Sequence, residues 1–155
     1  MNPTNFAVKG FHISDDKDKL DRNAIHEYLS LESYWAKNIP RQTVETSIDH
    51  SICFGVYSDD GTQVGFARVI SDCATFAYLC DVFILDAYRK LGLSKWLMET
   101  IHRHPKLQGL RRWSLATLDA HGLYEQFGWK ALAAPERFLE INVPNIYQST
   151  TNGVI

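Results

Sequence analysis

The fold turns on Val82-Phe83-Ile84-Leu85-Asp86-Ala87-Tyr88-Arg89-Lys90-Leu91-Gly92-Leu93-Ser94. An apolar run of strand type enters a short basic loop, and an amphipathic run opens at Gly92–Leu93. Leu93, Trp96, Leu97 and Ile101 recur at helical spacing, so Leu93–Arg103 reads as a helix that Pro105 ends. The first turn of a helix carries N–H groups without partners and a partial positive charge. Gly92 lets a ligand come close to the backbone, and Arg89 and Lys90 add positive charge. Together they form a candidate cradle for a pyrophosphate. The spacing matches neither G-x-x-x-x-G-K-[ST] nor G-x-G-x-x-G, so the P-loop and dinucleotide-fold readings fail. A plain strand–loop–helix connection gives the same pattern.

Outward from this stretch, Phe76–Leu85 is the most strand-like run, rich in aromatic and branched residues. Upstream, Phe6–Ile13, Ile52–Tyr57 and Gln63–Ile70 read as strands, the last two joined by the turn Asp59-Asp60-Gly61. Asp21 caps a helix starting near Arg22, and Thr43–Asp49 reads as a second short helix after Pro40. Downstream, Trp113–Thr117 reads as a strand, Ala120–Phe127 as a helix stopped by Gly128, and Trp129–Ala133 and Phe138–Val143 as closing strands. The expected class is α+β (mixed α/β): a central, mostly antiparallel sheet flanked by helices, not a regular βαβ alternation. One domain over residues 1–147 is expected, with a polar, frayed tail over 148–155.

Composition narrows the function. A chain of 155 residues buries enough surface for a core without staples. Sixteen basic against eighteen acidic residues leave net charge −2, which disfavours a nucleic-acid partner held by bulk charge. Cys53, Cys73 and Cys80 form no metal-type pair spacing, and their odd count fits a reducing cytoplasm. The six His are scattered, without H-E-x-x-H, so no metal is expected. The N-terminus has no basic region followed by an apolar run, and Ala77–Leu85 is too short to cross a bilayer. A cytoplasmic protein without a membrane partner is the expectation.

Asp81 interrupts an apolar strand, with Leu79, Phe83 and Leu85 on its own face and Tyr78 and Cys80 on the other by strand alternation. It is therefore the first candidate for a proton acceptor, or else an anchor for neighbouring backbone. Tyr34 and Trp35 could stack on a substrate or hold an ammonium, or simply cover the core.

Two elements carry a family resemblance. Arg89-x-x-Gly92-x-Ser94 resembles the pyrophosphate loop [QR]-x-x-G-x-[GA] of the GNAT superfamily of acyl-CoA-dependent N-acetyltransferases. Leu123-Tyr124-Glu125-Gln126-Phe127-Gly128-Trp129 resembles that family's late L-Y-x-x-x-G-[FW] element. The order of elements also matches over nearly the whole chain. Ser94 stands where the family has Gly or Ala, and Lys90 where Gly often follows the Arg. Thr117 stands seven positions before Tyr124, where many relatives carry a cofactor-contacting Asn.

The resemblance implies the GNAT fold, with acetyl-CoA as co-substrate and a small-molecule primary amine as acceptor. It implies main-chain contacts to the pantetheine arm at Val82, Phe83 and Ile84, and pyrophosphate contacts from Arg89, Lys90, Leu91, Gly92, Leu93 and Ser94, with Thr117 beside the cofactor. Tyr124 would be the general acid, because a phenol with pKa about 10 can protonate a departing thiolate at neutral pH. The region of Glu32, Tyr34 and Trp35 would line the acceptor pocket. A homodimer is expected by analogy with the fold class. Two other functions fit the same resemblance: an acyl-CoA-binding sensor without turnover, and acetylation of a protein Lys or N-terminus.

Overall fold

The computed structural model describes residues 6–148. One five-stranded sheet runs in chain order, β1 (Phe11–Ser14), β2 (Ile52–Ser58), β3 (Gln63–Ser71), β4 (Phe76–Ile84) and β5 (Arg112–Leu115). The first three pairings are antiparallel and β4–β5 is parallel. α1 (Arg22–Glu27) is capped by Asp21, whose Oδ1 accepts the Ala24 N–H, and continues into a wider turn over Tyr28–Glu32. α2 is Arg41–Asp49, α3 is Leu93–His102 and α4 is His121–Glu125.

The helices cover both faces of the sheet. On one face Leu93, Leu97, Met98 and Ile101 of α3 bury against Phe54, Val56, Val69, Ala77 and Leu79. On the other, Ile25, Leu29, Val44 and Ile48 bury against Cys53, Phe66 and Phe83. The α3 stripe is the apolar spacing seen in the sequence, so truncating Leu97 to Ala would cost about 2–5 kcal/mol. No helix among the described residues is long and apolar enough to cross a membrane.

Three expectations shift. The first strand does not begin at Phe6; Gly10 turns the chain at φ +89° and β1 starts at Phe11. Neither Trp129–Ala133 nor Phe138–Val143 is a strand. The second run keeps its alternating pattern but has no strand partner among the described residues, leaving Leu139 98% and Ile141 99% exposed. Of the expected tail, 149–155 lies outside the described residues.

Candidate active site

The pairing of β4 with β5 stops at Leu79↔Leu115. Beyond that point the two chain segments diverge, and a cleft of about 400 Å³ opens between Cys80-Asp81-Val82 on one side and Ala116-Thr117-Leu118 on the other. Tyr34 and Trp35 also line it. A second groove of about 540 Å³ runs along Val82, Phe83 and Ile84 to Lys90, Gly92, Leu93 and Ser94. The two share Tyr34, Trp35, Val82, Asp119, Ala120 and Tyr124, so Tyr124 stands at their junction.

The groove ends on the loop over 89–92 at the head of α3. Lys90 and Gly92 both adopt positive φ, +66° and +89°. Two left-handed residues one apart curl the backbone so that successive N–H groups point into one concavity. Among the described residues, no hydrogen bond uses the N–H groups of Leu91 through Lys95, and the helix ladder begins with Trp96 N–H to Gly92 O. These donors at the head of the ten-residue α3 suit an anion. The positive φ at Lys90 also explains why Gly is common there in the resembled motif: Gly adopts this geometry without strain. Arg89 braces the loop. Its Nε donates to Ile84 O, one terminal nitrogen to the Tyr28 hydroxyl, and the other pairs with Asp86 at 2.9 Å. Tyr28 in turn stacks on Phe83 at 3.9 Å between ring centroids.

Asp81 occupies a β-bulge. Phe66 pairs with Phe83 and Arg68 with Cys80, so two residues of β4 oppose one of β3, and Asp81 takes φ +53°. Asp tolerates the left-handed region better than most side chains. The extra residue changes the parity of the strand. Leu79 packs on the α3 face, while Phe83 and Leu85 pack on the α1–α2 face. Tyr78, Cys80 and Asp81 consequently line the same cleft, where simple alternation had set Asp81 apart from the other two. Both Asp81 oxygens have partners: Oδ2 accepts from Arg68 Nε at 2.8 Å, and Oδ1 accepts from Trp35 Nε1 at 2.8 Å. Arg68 also donates to Ser51 Oγ at 3.1 Å. A carboxylate pinned at both oxygens is first an anchor, here for the Trp35 ring at the cleft mouth.

Tyr124 is 8% exposed, and its ring meets that of Trp129 edge to face. Burial pushes its phenol up to about 12, with Tyr34 and Asp119 adding to the shift. Thr117 lines the cleft rather than the cofactor-type groove, and its Oγ1 accepts the Ala120 N–H that leads into α4. Glu32 lies along the groove and not in the cleft. Tyr34 bridges the two walls, its hydroxyl accepting the Leu118 N–H at 3.0 Å. Sequence reading missed Arg68, Tyr78, Lys95 and Asp119. Arg68 left a signal, a lone charge in the apolar run Val64–Ile70, of the same kind that singled out Asp81.

Comparison with known proteins bears on the family and the fold. A family model described as an acetyltransferase (GNAT) domain matches residues 49–131. A crystal structure assigned to the GNAT family from Xanthomonas campestris pv. campestris is 51% identical, with TM-score 0.89, covering 92% of this chain and all (100%) of that one. A curated Gibberella zeae protein named as a candidate acetyltransferase is 31% identical over 143 residues, 79% of this chain and 80% of that protein. A crystal structure with acetyl-CoA from Clostridium acetobutylicum, described as an acetyltransferase by prediction, shares the fold at TM-score 0.62 and 13% identity over 85% of this chain and 94% of that one. The loop at the head of α3, the late Tyr124 element and these likenesses converge: the chain belongs to the GNAT acetyltransferase family.

Proposed function

We propose that the protein transfers an acetyl group from acetyl-CoA to a primary amine of a small molecule, by direct attack in a ternary complex. The observation that carries the reading is the buried Tyr124 at the meeting of a groove that ends on free N–H donors and a separate cleft. The N–H groups of Leu91 through Lys95, with the Lys90 and Lys95 ammoniums, would hold a pyrophosphate. Val82, Phe83 and Ile84 would carry the pantetheine arm. A main-chain N–H beside the bulge would polarise the thioester carbonyl. In the resembled family the counterpart of Thr117 contacts the cofactor; here it is proposed to shape the cleft wall.

The amine nitrogen attacks the carbonyl carbon and forms the C–N bond. The proton it loses leaves through water in the open cleft, and Asp81 acts by fixing Trp35. Collapse of the tetrahedral intermediate breaks the C–S bond, and the Tyr124 hydroxyl hands its proton to the departing sulfur. The cleft lining favours a positively charged acceptor. Asp119 faces it beside Tyr34, Trp35, Tyr78 and Tyr124, the charge of Asp81 is met by Arg68 from behind, and among the described residues no Lys, Arg or His lines it. Amines without an acidic group are thus expected to be turned over before amino acids or sugar phosphates. A panel of such amines, read by free-thiol release, tests the ordering; preference for the acidic acceptors would refute it.

A further inference from the structure

We infer that His102, the last residue of α3, is a positioning residue for the Tyr124 phenol and acts through the Trp129 indole. The inference rests on the acid role proposed for Tyr124. α4 has five residues, too few to hold one orientation by its own hydrogen bonds. No hydrogen bond from a described residue directs the Tyr124 hydroxyl either. What α4 packs against must therefore set where the phenol points.

The two ends of α4 are held differently. Its start is held at the cleft wall, where Thr117 Oγ1 accepts the Ala120 N–H at 3.1 Å. Its end folds back on itself. Gly128 turns at φ +90°, the Gly128 N–H donates to Glu125 O at 3.2 Å, and the Trp129 N–H donates to Tyr124 O at 3.3 Å. In this left-handed helix ending, the residue after the Gly packs back onto the residue five before it. Here that contact is the Trp129 ring against the Tyr124 ring, edge to face with centroids 6.0 Å apart. Trp129 is thus tied to Tyr124 by backbone and by ring.

Trp129 has one further tie. Its indole N–H donates to His102 Nε2 at 3.1 Å. An indole N–H only donates, so Nε2 must be the bare nitrogen of a neutral imidazole with its proton on Nδ1. Burial favours that neutral form. The imidazole also lies against Trp113 at 4.8 Å and stacks on Phe127 at 6.2 Å between ring centroids. His102 is fixed in turn by α3, whose Leu93, Leu97, Met98 and Ile101 are buried against the sheet. The path runs from a helix anchored on the sheet, through His102 and Trp129, to a helix of five residues that carries the phenol. Without an acceptor at position 102 the indole N–H loses its partner, and the Trp129 ring loses what holds it against Tyr124.

The test compares His102→Leu, which removes the acceptor, with His102→Gln, whose Oε1 restores one at a similar reach. His102→Leu should lower kcat about tenfold or more while acetyl-CoA affinity stays within about twofold, and His102→Gln should recover the rate. Trp129→Phe keeps a ring and loses the N–H, so it should match His102→Leu; it carries the comparison if His102→Leu fails to fold. Adding His102→Leu to Tyr124→Phe should cost nothing further, because both act on one group. The ring-proton resonances of Tyr124, identified by their loss in Tyr124→Phe, should move in His102→Leu and return in His102→Gln. A kcat within about twofold of the natural enzyme in His102→Leu and Trp129→Phe would overturn the inference, as would an equal fall in the Tyr124→Phe background. Unmoved Tyr124 resonances would overturn it even where no acceptor is turned over. Absent thiol release from the natural enzyme, with resonances that move as stated, would count against the acetyl-transfer reading and leave the positioning in place.

Discussion

Tyr124 owes its place to a short helix and its chemistry to burial. α4 turns it inward beside Trp129, and the same burial that lifts its phenol to about 12 keeps it protonated. Tyr124→Phe should lower kcat roughly a hundredfold or more, with acetyl-CoA affinity held within about twofold. Steady-state kinetics with calorimetric titration checks both. In the natural enzyme kcat/KM should climb with pH as the acceptor amine loses its proton near about 10.4. No falling limb from Tyr124 is expected below about pH 11, since its phenol stays protonated there. A descending limb near neutrality that disappears in Tyr124→Phe would contradict the raised pKa while marking Tyr124 as the acid; an unchanged kcat in that variant would contradict the acid role. Asp81→Asn separates anchoring from proton transfer. It strips Arg68 of its buried counter-charge, at a cost of about 3–5 kcal/mol in stability, seen in thermal melts. An anchor leaves the shape of the pH–rate profile unchanged and raises KM; a base removes the rising limb. Trp35→Phe, which leaves the ion pair in place, should raise KM in the same way. Tyr124 stood out in the sequence as a candidate because a spaced motif marks it. The Arg68–Asp81–Trp35 chain was not, since its members are far apart in sequence and meet only through the bulge.

At the scale of the element, α3 is where sequence and structure agree most closely. Its apolar stripe both defines the helix and states which face is buried. Its last residue, His102, is half-buried among Trp113, Phe127 and Trp129, and its Nε2 accepts the Trp129 indole N–H at 3.1 Å. Burial holds the imidazole below its ordinary value. The unfolded chain therefore takes up its proton first as pH falls, so the stability from neutral His102 is full above about pH 6.5 and is lost below it. Urea unfolding across pH 5 to 7.5 should show that decline, and His102→Gln should flatten it; an unaltered slope would show that other groups set it. β4 misleads for the opposite reason. Its alternation reads cleanly in the sequence, but one left-handed residue at Asp81 reverses the parity, and alternation carries no sign of a bulge. The closing strands were misread more simply: an alternating pattern names a face to be buried without naming what buries it.

Over the whole molecule, the sheet is a scaffold split at one point. From β1 to β4 it is paired along its length and covered on both faces, and its job there is stability. Past Leu79↔Leu115 it opens, and the proposed chemistry is placed in the gap: backbone donors at the head of α3, the phenol of α4 and the aromatic loop of Tyr34 and Trp35. This division explains why the fold was readable from local patterns and why the acceptor side was not. The former depends on periodicity along the chain, the latter on side chains from four segments brought together by the gap. The central claim is transfer of acetyl from acetyl-CoA to an amine, and free-thiol release across a panel of amines, polyamines, amino acids and short peptides tests it most directly. Amine-dependent thiol release is expected, fastest with cationic small amines and lost in Tyr124→Phe. Tight acetyl-CoA binding with no amine-dependent release across the panel would contradict it and favour a binding protein built on the same fold.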